Sequence, residues 1–228
     1  MSLRPVSAEI VKIVNETRNI KSFHLSTDFP DSTPGQFIMV WIRGVDEIPM
    51  SLSYSNAITV QKVGEATRAM FKLRKGDSIG VRGPYGNGFR IIGRRNLIIA
   101  GGAGAASLAM LAEKASERGI EVTTLLGART EAELLFTKRF EKAGELLVAT
   151  DDGTQGHKGF VTELIKEVDL NFDQIYICGP ELMMAKVLEK IRKSNIAQLS
   201  LSRYTKCGIG LCGSCCIDPS GLRACKEG

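Results

Sequence analysis

Five cysteines fall within the last 22 residues of this 228-residue chain: Cys207, Cys212, Cys215, Cys216 and Cys225; the sixth is Cys178. Four of them read C-x4-C-x2-C followed by a later Cys, the plant-type spacing for a [2Fe–2S] cluster with Cys207, Cys212, Cys215 and Cys225 as ligands. Gly208, Gly210 and Gly213 let the loop wrap closely and aim backbone N–H groups at sulfur. A structural Zn(Cys)4 site is the alternative, but its usual signature is two separated C-x2-C pairs, and only Cys212/Cys215 is such a pair. Cys216 could replace Cys215, although Cys215 keeps the x2 spacing. A disulfide scaffold would spread cysteines through a secreted chain. Here they cluster at one end, and Met1 to Ile10 has no apolar leader, so a reducing, cytoplasmic setting is expected.

Two glycine turns carry the second signal. Gly101-Gly102-Ala103-Gly104 follows the apolar run Leu97 to Ala100 and opens a helical segment ending near Arg118. Such a strand–helix turn brings backbone N–H groups to a pyrophosphate, although a ligand-free turn looks similar and G-x-G-x-x-G is absent. Cys178-Gly179-Pro180 is another strand–helix junction, and Asp151-Asp152 follows a third strand. Carboxylates there could bind ribose hydroxyls or cap a turn. His24 and His157 show no ligand spacing, and no nucleophilic triad or carboxylate pair is evident, so no catalytic residue is assigned.

These motifs need positioning elements. Residues 1–92 read as short strands (8–14, 20–26, 35–42, 58–63, 69–73 and 78–81) punctuated by Gly and Pro, which predicts a small antiparallel β-barrel. Pro49-Met50-Ser51-Leu52-Ser53 reads as a stretch following a strand. From Gly93 the pattern becomes alternating. Strands are expected at 96–100, 121–126, 145–149 and 174–178, and helices at 131–142, 161–168 and 181–194, which predicts a parallel α/β domain over 93–197. A Cys-rich module over 198–228 completes three expected domains.

Composition agrees with a folded, non-membrane chain: 43% hydrophobic, 24% charged and no apolar run long enough to span a bilayer. The net charge of +5 is scattered rather than concentrated, so no nucleic-acid face is expected.

In combination the motifs resemble the ferredoxin-reductase-like flavoprotein family. Pro49-Met50-Ser51-Leu52-Ser53 is similar to its Arg-Pro-x-Ser flavin motif, with Ile48 at the Arg position. The Gly83-Pro84-Tyr85-Gly86-Asn87-Gly88-Phe89 turn, the Gly-Gly-x-Gly turn and Cys178-Gly179-Pro180-Glu181-x-Met183 follow in order. With the cysteine tail added, the order resembles the electron-transfer subunits of type B dihydroorotate dehydrogenases. The resemblance implies FAD in the barrel, NAD in the α/β domain, a [2Fe–2S] tail, and electron exchange with an FMN-containing catalytic subunit in a heterotetramer serving pyrimidine biosynthesis. It places Met50, Ser51 and Leu52, with Pro49, along the flavin ring. Thr59, Val60 and Gln61 fall beside its ribityl or adenosine part, and Ala66 and Thr67 at its pyrophosphate. Gly101, Gly102 and Gly104 fall at the nicotinamide nucleotide, and Cys178, Gly179 and Pro180 at its ring. Residues near Arg129 and Asp151 would choose NAD over NADP. Similar assemblies occur in NADH-dependent ferredoxin:NADP oxidoreductase and in sulfhydrogenase, and a zinc-stapled interaction module is the alternative of another class.

Overall fold

The computed structural model describes residues 4–192 and 196–227. They form two compact units, Met1–Gly88 with Ser202–Gly228 and Phe89–Leu201.

In the first unit six strands close into an antiparallel barrel: β1 (Val6–Thr17), β2 (Ile20–Leu25), β3 (Phe37–Ile42), β4 (Asp46–Tyr54), β5 (Ala57–Gln61) and β6 (Ser78–Tyr85), in the order β1-β2-β5-β4-β3-β6. Alternation sets the two faces. Ile38, Val40 and Ile42 of β3 point into a core shared with Ile10, Phe23, Leu52, Ile58, Val60, Ile79 and Val81, which leaves Phe37, Met39 and Trp41 on the outer face.

Two elements differ from the sequence expectation. Pro49 to Ser53 lies within β4, where Met39 pairs with Pro49 and Phe37 with Ser51, rather than after a strand. The segment expected as a strand over 69–73 instead forms the end of a helix, α1 (Glu65–Met70), and the turn that leaves it. The Thr67 hydroxyl accepts the N–H groups of Val63 and Gly64 at 3.0 and 2.9 Å, closing the first turn. Ala66 and Met70, four residues apart, then face the barrel core together. A short apolar run does not separate helix from strand, and here local capping decided.

The second unit is a parallel sheet. Its elements are β7 (Arg95–Gly101), α2 (Ala105–Glu117), β8 (Glu121–Ala128), α3 (Thr137–Ala143), β9 (Glu145–Thr150), β10 (His157–Lys158), β11 (Gln174–Cys178), α4 (Glu181–Ile191) and β12 (Ala197–Ser200). The order β10-β9-β8-β7-β11-β12 reverses direction at β7, a topological switch that opens a crevice at the strands' carboxyl ends.

The helix expected over 131–142 is broken. A 3-10 turn at Glu131–Glu133 is followed by extended Leu134 and left-handed Phe136 before α3 begins. Leu135 and Phe140 are both buried, and a five-residue spacing cannot place both on one helical stripe. The expected helix at 161–168 is 3-10 over Val161–Glu167, which buries Val161 and Leu164 at a three-residue repeat. Of the helix expected to reach Ser194, Lys193 and Ser194 lie outside the described residues. β12 was not expected; it adds an edge to β11, pairing Cys178 with Ser200.

The Cys-rich segment clusters with the barrel and ends in a hairpin of β13 (Cys216–Ile217) and β14 (Leu222–Arg223). Among the described residues no helix is long and apolar enough to cross a membrane.

If α1 plugs the barrel, Met70→Ala should lower unfolding stability by about 2–5 kcal/mol in denaturant titration. The exposed neighbour change Lys72→Ala should stay within about 0.5 kcal/mol.

Candidate functional site

The cysteine loop turns on Gly208, Gly210 and Gly213, all with φ between +72° and +81°, a region that costs a side-chain-bearing residue strain. These turns aim N–H groups at sulfur. Cys207 Sγ accepts from Leu211 at 3.3 Å and from Cys212 at 3.5 Å. Cys212 Sγ lies 3.3 Å from Ser214 Oγ. The terminal hairpin brings the last ligand candidate back, because Ala224 N–H donates to the Cys215 carbonyl at 3.1 Å and sets Cys225 beside Cys215. The thiols therefore face one another as two pairs, Cys207 with Cys212 and Cys215 with Cys225. Among the described residues no three His, Cys, Asp or Glu side chains are grouped to hold a single ion. Two pairs are the donor set a two-iron cluster needs, two thiolates per iron. Cys216 is paired with Arg223 in the terminal hairpin.

Burial pushes the Cys207 thiol up, but the N–H groups of Cys212, Ile209 and Leu211 outweigh it and bring the thiol to about 6. Ser214 lowers Cys212. Burial and the neighbouring Cys215 thiol push Cys225 up to about 11.

The loop is held on the barrel by β6 and the turn after it. Arg82 on β6 makes a two-pronged ion pair with Glu47 of β4, both contacts 2.6 Å. Its Nη1 donates to the Cys207 carbonyl at 2.7 Å, and its Nη2 reaches the Lys206 carbonyl at 3.3 Å. Hydrogen bonding to Glu47 outweighs burial and holds the guanidinium charged, above its ordinary range. Asn87 donates to the Glu227 carbonyl at 2.9 Å, gripping the other end of the segment. Between the two grips a Cβ on Gly208 would sit 3.2 Å from both Met39 and Tyr85. This close approach explains why Met39, on the barrel's outer face, is fully buried.

The proposed flavin residues divide by strand alternation. Ser51 is half-buried, whereas Leu52 is fully buried in the barrel core. Its side chain therefore does not line a ring on the outer face, as the resemblance implied, and the Val60 side chain of β5, which the resemblance placed beside the ribityl or adenosine part, likewise fills the core. Pro49 and Met50 are half-buried, and Met50 packs against the core. Thr59 points outward and joins a chain of hydroxyls, 2.8 Å from both Ser22 and Ser53. Ser22 on β2 escaped the sequence reading because a lone serine in a strand carries no signal. Gln61 is exposed. Thr67 Oγ1 spends its capacity on its own turn, accepting from Val63 and Gly64 and donating to the Gly64 carbonyl at 3.0 Å. At this corner the first-turn N–H groups of α1, those of Ala66 and Thr67 included, rather than the Thr67 hydroxyl, are left for an anion.

In the second unit the two glycine turns meet. A Cβ on Gly104 would lie 2.5 Å from the Cys178 carbonyl group, and one on Gly179 would lie 3.2 Å from the Gly101 Cα. Neither Gly104 nor Gly179 tolerates a larger residue, so Gly101 and Gly104 sit against Cys178, Gly179 and Pro180 at the N-termini of α2 and α4, while Gly102 between them faces open space. Burial pushes the Cys178 thiol up, and the hydroxyls of Ser107 and Ser200 are its hydrogen-bond partners. The turns after β8 and β9 are also adjacent, since Asp152 N–H donates to the Arg129 carbonyl at 3.2 Å. Asp152 caps its own turn through Thr154, at 3.0 Å to the N–H and 2.7 Å to the hydroxyl. Arg129 pairs with Glu133 at 2.9 and 3.0 Å.

Comparison with known proteins matches this geometry. Residues 98–189 fit the family described as the oxidoreductase NAD-binding domain. A protein of Methanocella arvoryzae, named a probable dihydroorotate dehydrogenase B (NAD(+)) electron transfer subunit, is 60% identical over 99% of this chain and 90% of its own. A protein of the same name from Methanocaldococcus jannaschii is 51% identical over 99% and 88%. The chain belongs to the family of dihydroorotate dehydrogenase B electron transfer subunits. Its fold is shared with a solved NADH-dependent reduced ferredoxin-NADP oxidoreductase, at TM-score 0.87 and 32% identity over 97% of this chain and 86% of that one. This electron transfer subunit is thus an oxidoreductase component with the ferredoxin-reductase-like flavoprotein fold and an NAD-binding domain, and its family of electron transfer subunits carries FAD and a [2Fe–2S] cluster. The two thiol pairs fit the cluster.

Two measurements test the geometry. In metal-free protein, alkylation should reach Cys207 and Cys212 first at pH 7, and the Cys207 rate should fall as pH drops through about 6 and its thiolate protonates. Cys225 and Cys178 should react slowest, as protonated, buried thiols; mass spectrometry of the labelled peptides reads the order. Separately, Gly104→Ala should disturb the paired turns by about 1–3 kcal/mol. Stopped-flow should then show weakened NADH binding with iron content unchanged.

Proposed function

We propose that this chain is the relay of a two-component dihydroorotate dehydrogenase, passing electrons from an FMN-containing catalytic subunit toward NAD+. The observation that carries the reading is the pair of facing thiol pairs fastened to the outer face of a flavin-type barrel. Bound FAD would exchange one hydride, that is two electrons, with nicotinamide and the same two electrons singly with the [2Fe–2S] cluster.

The chain's own residues bind and orient. Ser51, with Pro49 and Met50, would meet the ring edge through polar and backbone groups. Thr59, fixed by Ser22 and Ser53, would meet the ribityl or adenosine part beside Gln61, and the N–H groups of Ala66 and Thr67 would face the pyrophosphate. Gly101, Gly102 and Gly104 would admit the dinucleotide backbone at the α2 N-terminus. Cys178, kept protonated, would present a neutral, polarizable surface to the nicotinamide without competing as a nucleophile. The acidic residue Asp151, beside an Arg129 already neutralised by Glu133, supports NAD over NADP. Cys207, Cys212, Cys215 and Cys225 would hold the cluster.

A partner of the catalytic type has a face to meet. Leu211, Tyr204 and Leu222 are large apolar side chains exposed around the cysteine loop, and Leu211 adjoins exposed Cys212. A heterotetramer in the cytoplasm is the assembly proposed.

The test is anaerobic purification with iron, zinc and flavin assays, followed by identification of the co-purifying chain. About two irons per chain, stoichiometric FAD, bleaching by NADH and an FMN protein that oxidises dihydroorotate are expected. A colourless protein with one zinc would overturn the reading. The likeness to the NADH-dependent ferredoxin-NADP oxidoreductase favours a second reading, in which a larger iron–sulfur protein co-purifies instead.

A further inference from the structure

Arg82 occupies a place in the molecule that the binding of FAD or NAD does not require. It is nearly buried, with only 10% of its side chain exposed, in a barrel strand 125 residues away in sequence from the cysteine whose carbonyl it holds. One guanidinium makes four contacts: two with the Glu47 carboxylate, one with the Cys207 carbonyl and one with the Lys206 carbonyl. The Tyr85 ring lies 5.5 Å away. Outside this grip the start of the segment is fastened less firmly: Lys206 reaches Asp46 at 3.8 Å, and both side chains are about half exposed.

A planar guanidinium can bind a carboxylate with two parallel bonds and still present N–H groups to carbonyls, which an ammonium cannot do in fixed geometry. The carboxylate also matters for charge. A buried cation beside a redox centre stabilises the electron-rich form, and a carboxylate at 2.6 Å offsets most of that effect. The site therefore separates two duties, anchoring by Arg82 and charge balance by Glu47.

We propose that Arg82 is a positioning residue for the [2Fe–2S] segment, and that its pairing with Glu47 keeps the cluster's reduction potential low while the guanidinium pins Cys207 to the barrel. The proposal rests on the four-cysteine cluster reading above and goes beyond it by naming residues that are not ligands.

The full chain, purified anaerobically, is compared with Arg82→Lys, Arg82→Met, Glu47→Gln and the double variant Arg82→Met/Glu47→Gln. Three quantities are read: cluster potential by EPR-monitored titration, the rate of iron transfer to a chelator, and flavin absorbance as the control. Glu47→Gln should raise the potential, with a tenfold change in the reduction equilibrium equal to about 59 mV for one electron. Arg82→Met should lower it and speed iron release by about tenfold, from loss of charge-assisted bonds. The double variant should regain the wild-type potential yet release iron as fast as Arg82→Met. Arg82→Lys should keep the potential and lose part of the anchoring. Unchanged potentials in both single variants, or unchanged iron release in Arg82→Met, would overturn the proposal. Flavin lost in step with iron in every Arg82 variant would do so too, because Arg82 would then support the barrel rather than the cluster segment. A wild-type chain with flavin but no iron signal would instead overturn the cluster reading itself.

Discussion

The placement of the cysteine segment on the barrel depends on one interaction, the Arg82–Glu47 pair and the carbonyls it holds. A loop that turns on three left-handed glycines has little conformational preference of its own, and its four candidate ligand thiols would repel one another once ionised. Something outside the loop has to fix it. The barrel supplies a rigid edge: β6 carries Arg82, and the turn after it carries Asn87, so the cysteine segment is gripped near both Cys207 and Cys225. Gly208 then packs on Met39 and Tyr85, and an outward-facing barrel side chain becomes buried. The iron–sulfur segment and the flavin barrel are in this sense one folding unit rather than two joined by a linker.

The thiol environments follow from the same geometry. N–H groups directed at Cys207 favour its thiolate, the form that binds iron, before any metal arrives. Cys178 is the opposite case. It is hydrogen-bonded to two hydroxyls, and burial raises its pKa and favours the neutral thiol. Two cysteine roles in one chain are thus set by what surrounds the sulfur: backbone donors in a tight loop, or an apolar sheet end.

In the second unit, contact between the turns after β7 and β11 does comparable work. Each is a plain strand–helix junction, and only the absence of a Cβ at Gly104 and Gly179 lets the two touch at the carboxyl edge where the strand order reverses. The adjacent turns after β8 and β9 meet in the same way, with Arg129 and Asp152 committed to local partners.

The barrel followed by a parallel sheet, the clustering of the cysteines at fixed spacing and both glycine turns were legible in the sequence, because each is written in local patterns: alternation of apolar residues, fixed spacing, or glycine at a strand end. Local reading failed where a short segment had two possible periods. Ala69 to Leu73 reads as a strand, but capping by Thr67 makes Ala69 and Met70 the end of a helix, and Val161 to Val168 reads as an α-helix, but a three-residue burial repeat makes Val161–Glu167 3-10. It also failed to separate the two faces of β4 and β5, so Leu52 is placed along the flavin ring and Val60 beside the ribityl or adenosine part although their side chains fill the core. Tertiary structure alone decided which residues hold the sites in place. Arg82, Glu47, Asn87, Ser22 and Ser200 act on groups distant in sequence or on neighbouring strands, and a single arginine in a barrel strand looks like any solvated cation until the fold brings Cys207 to it. Ligand chemistry repeats at short spacing and can be read from the chain, whereas the forces that orient those ligands come from whichever strands happen to be neighbours in space.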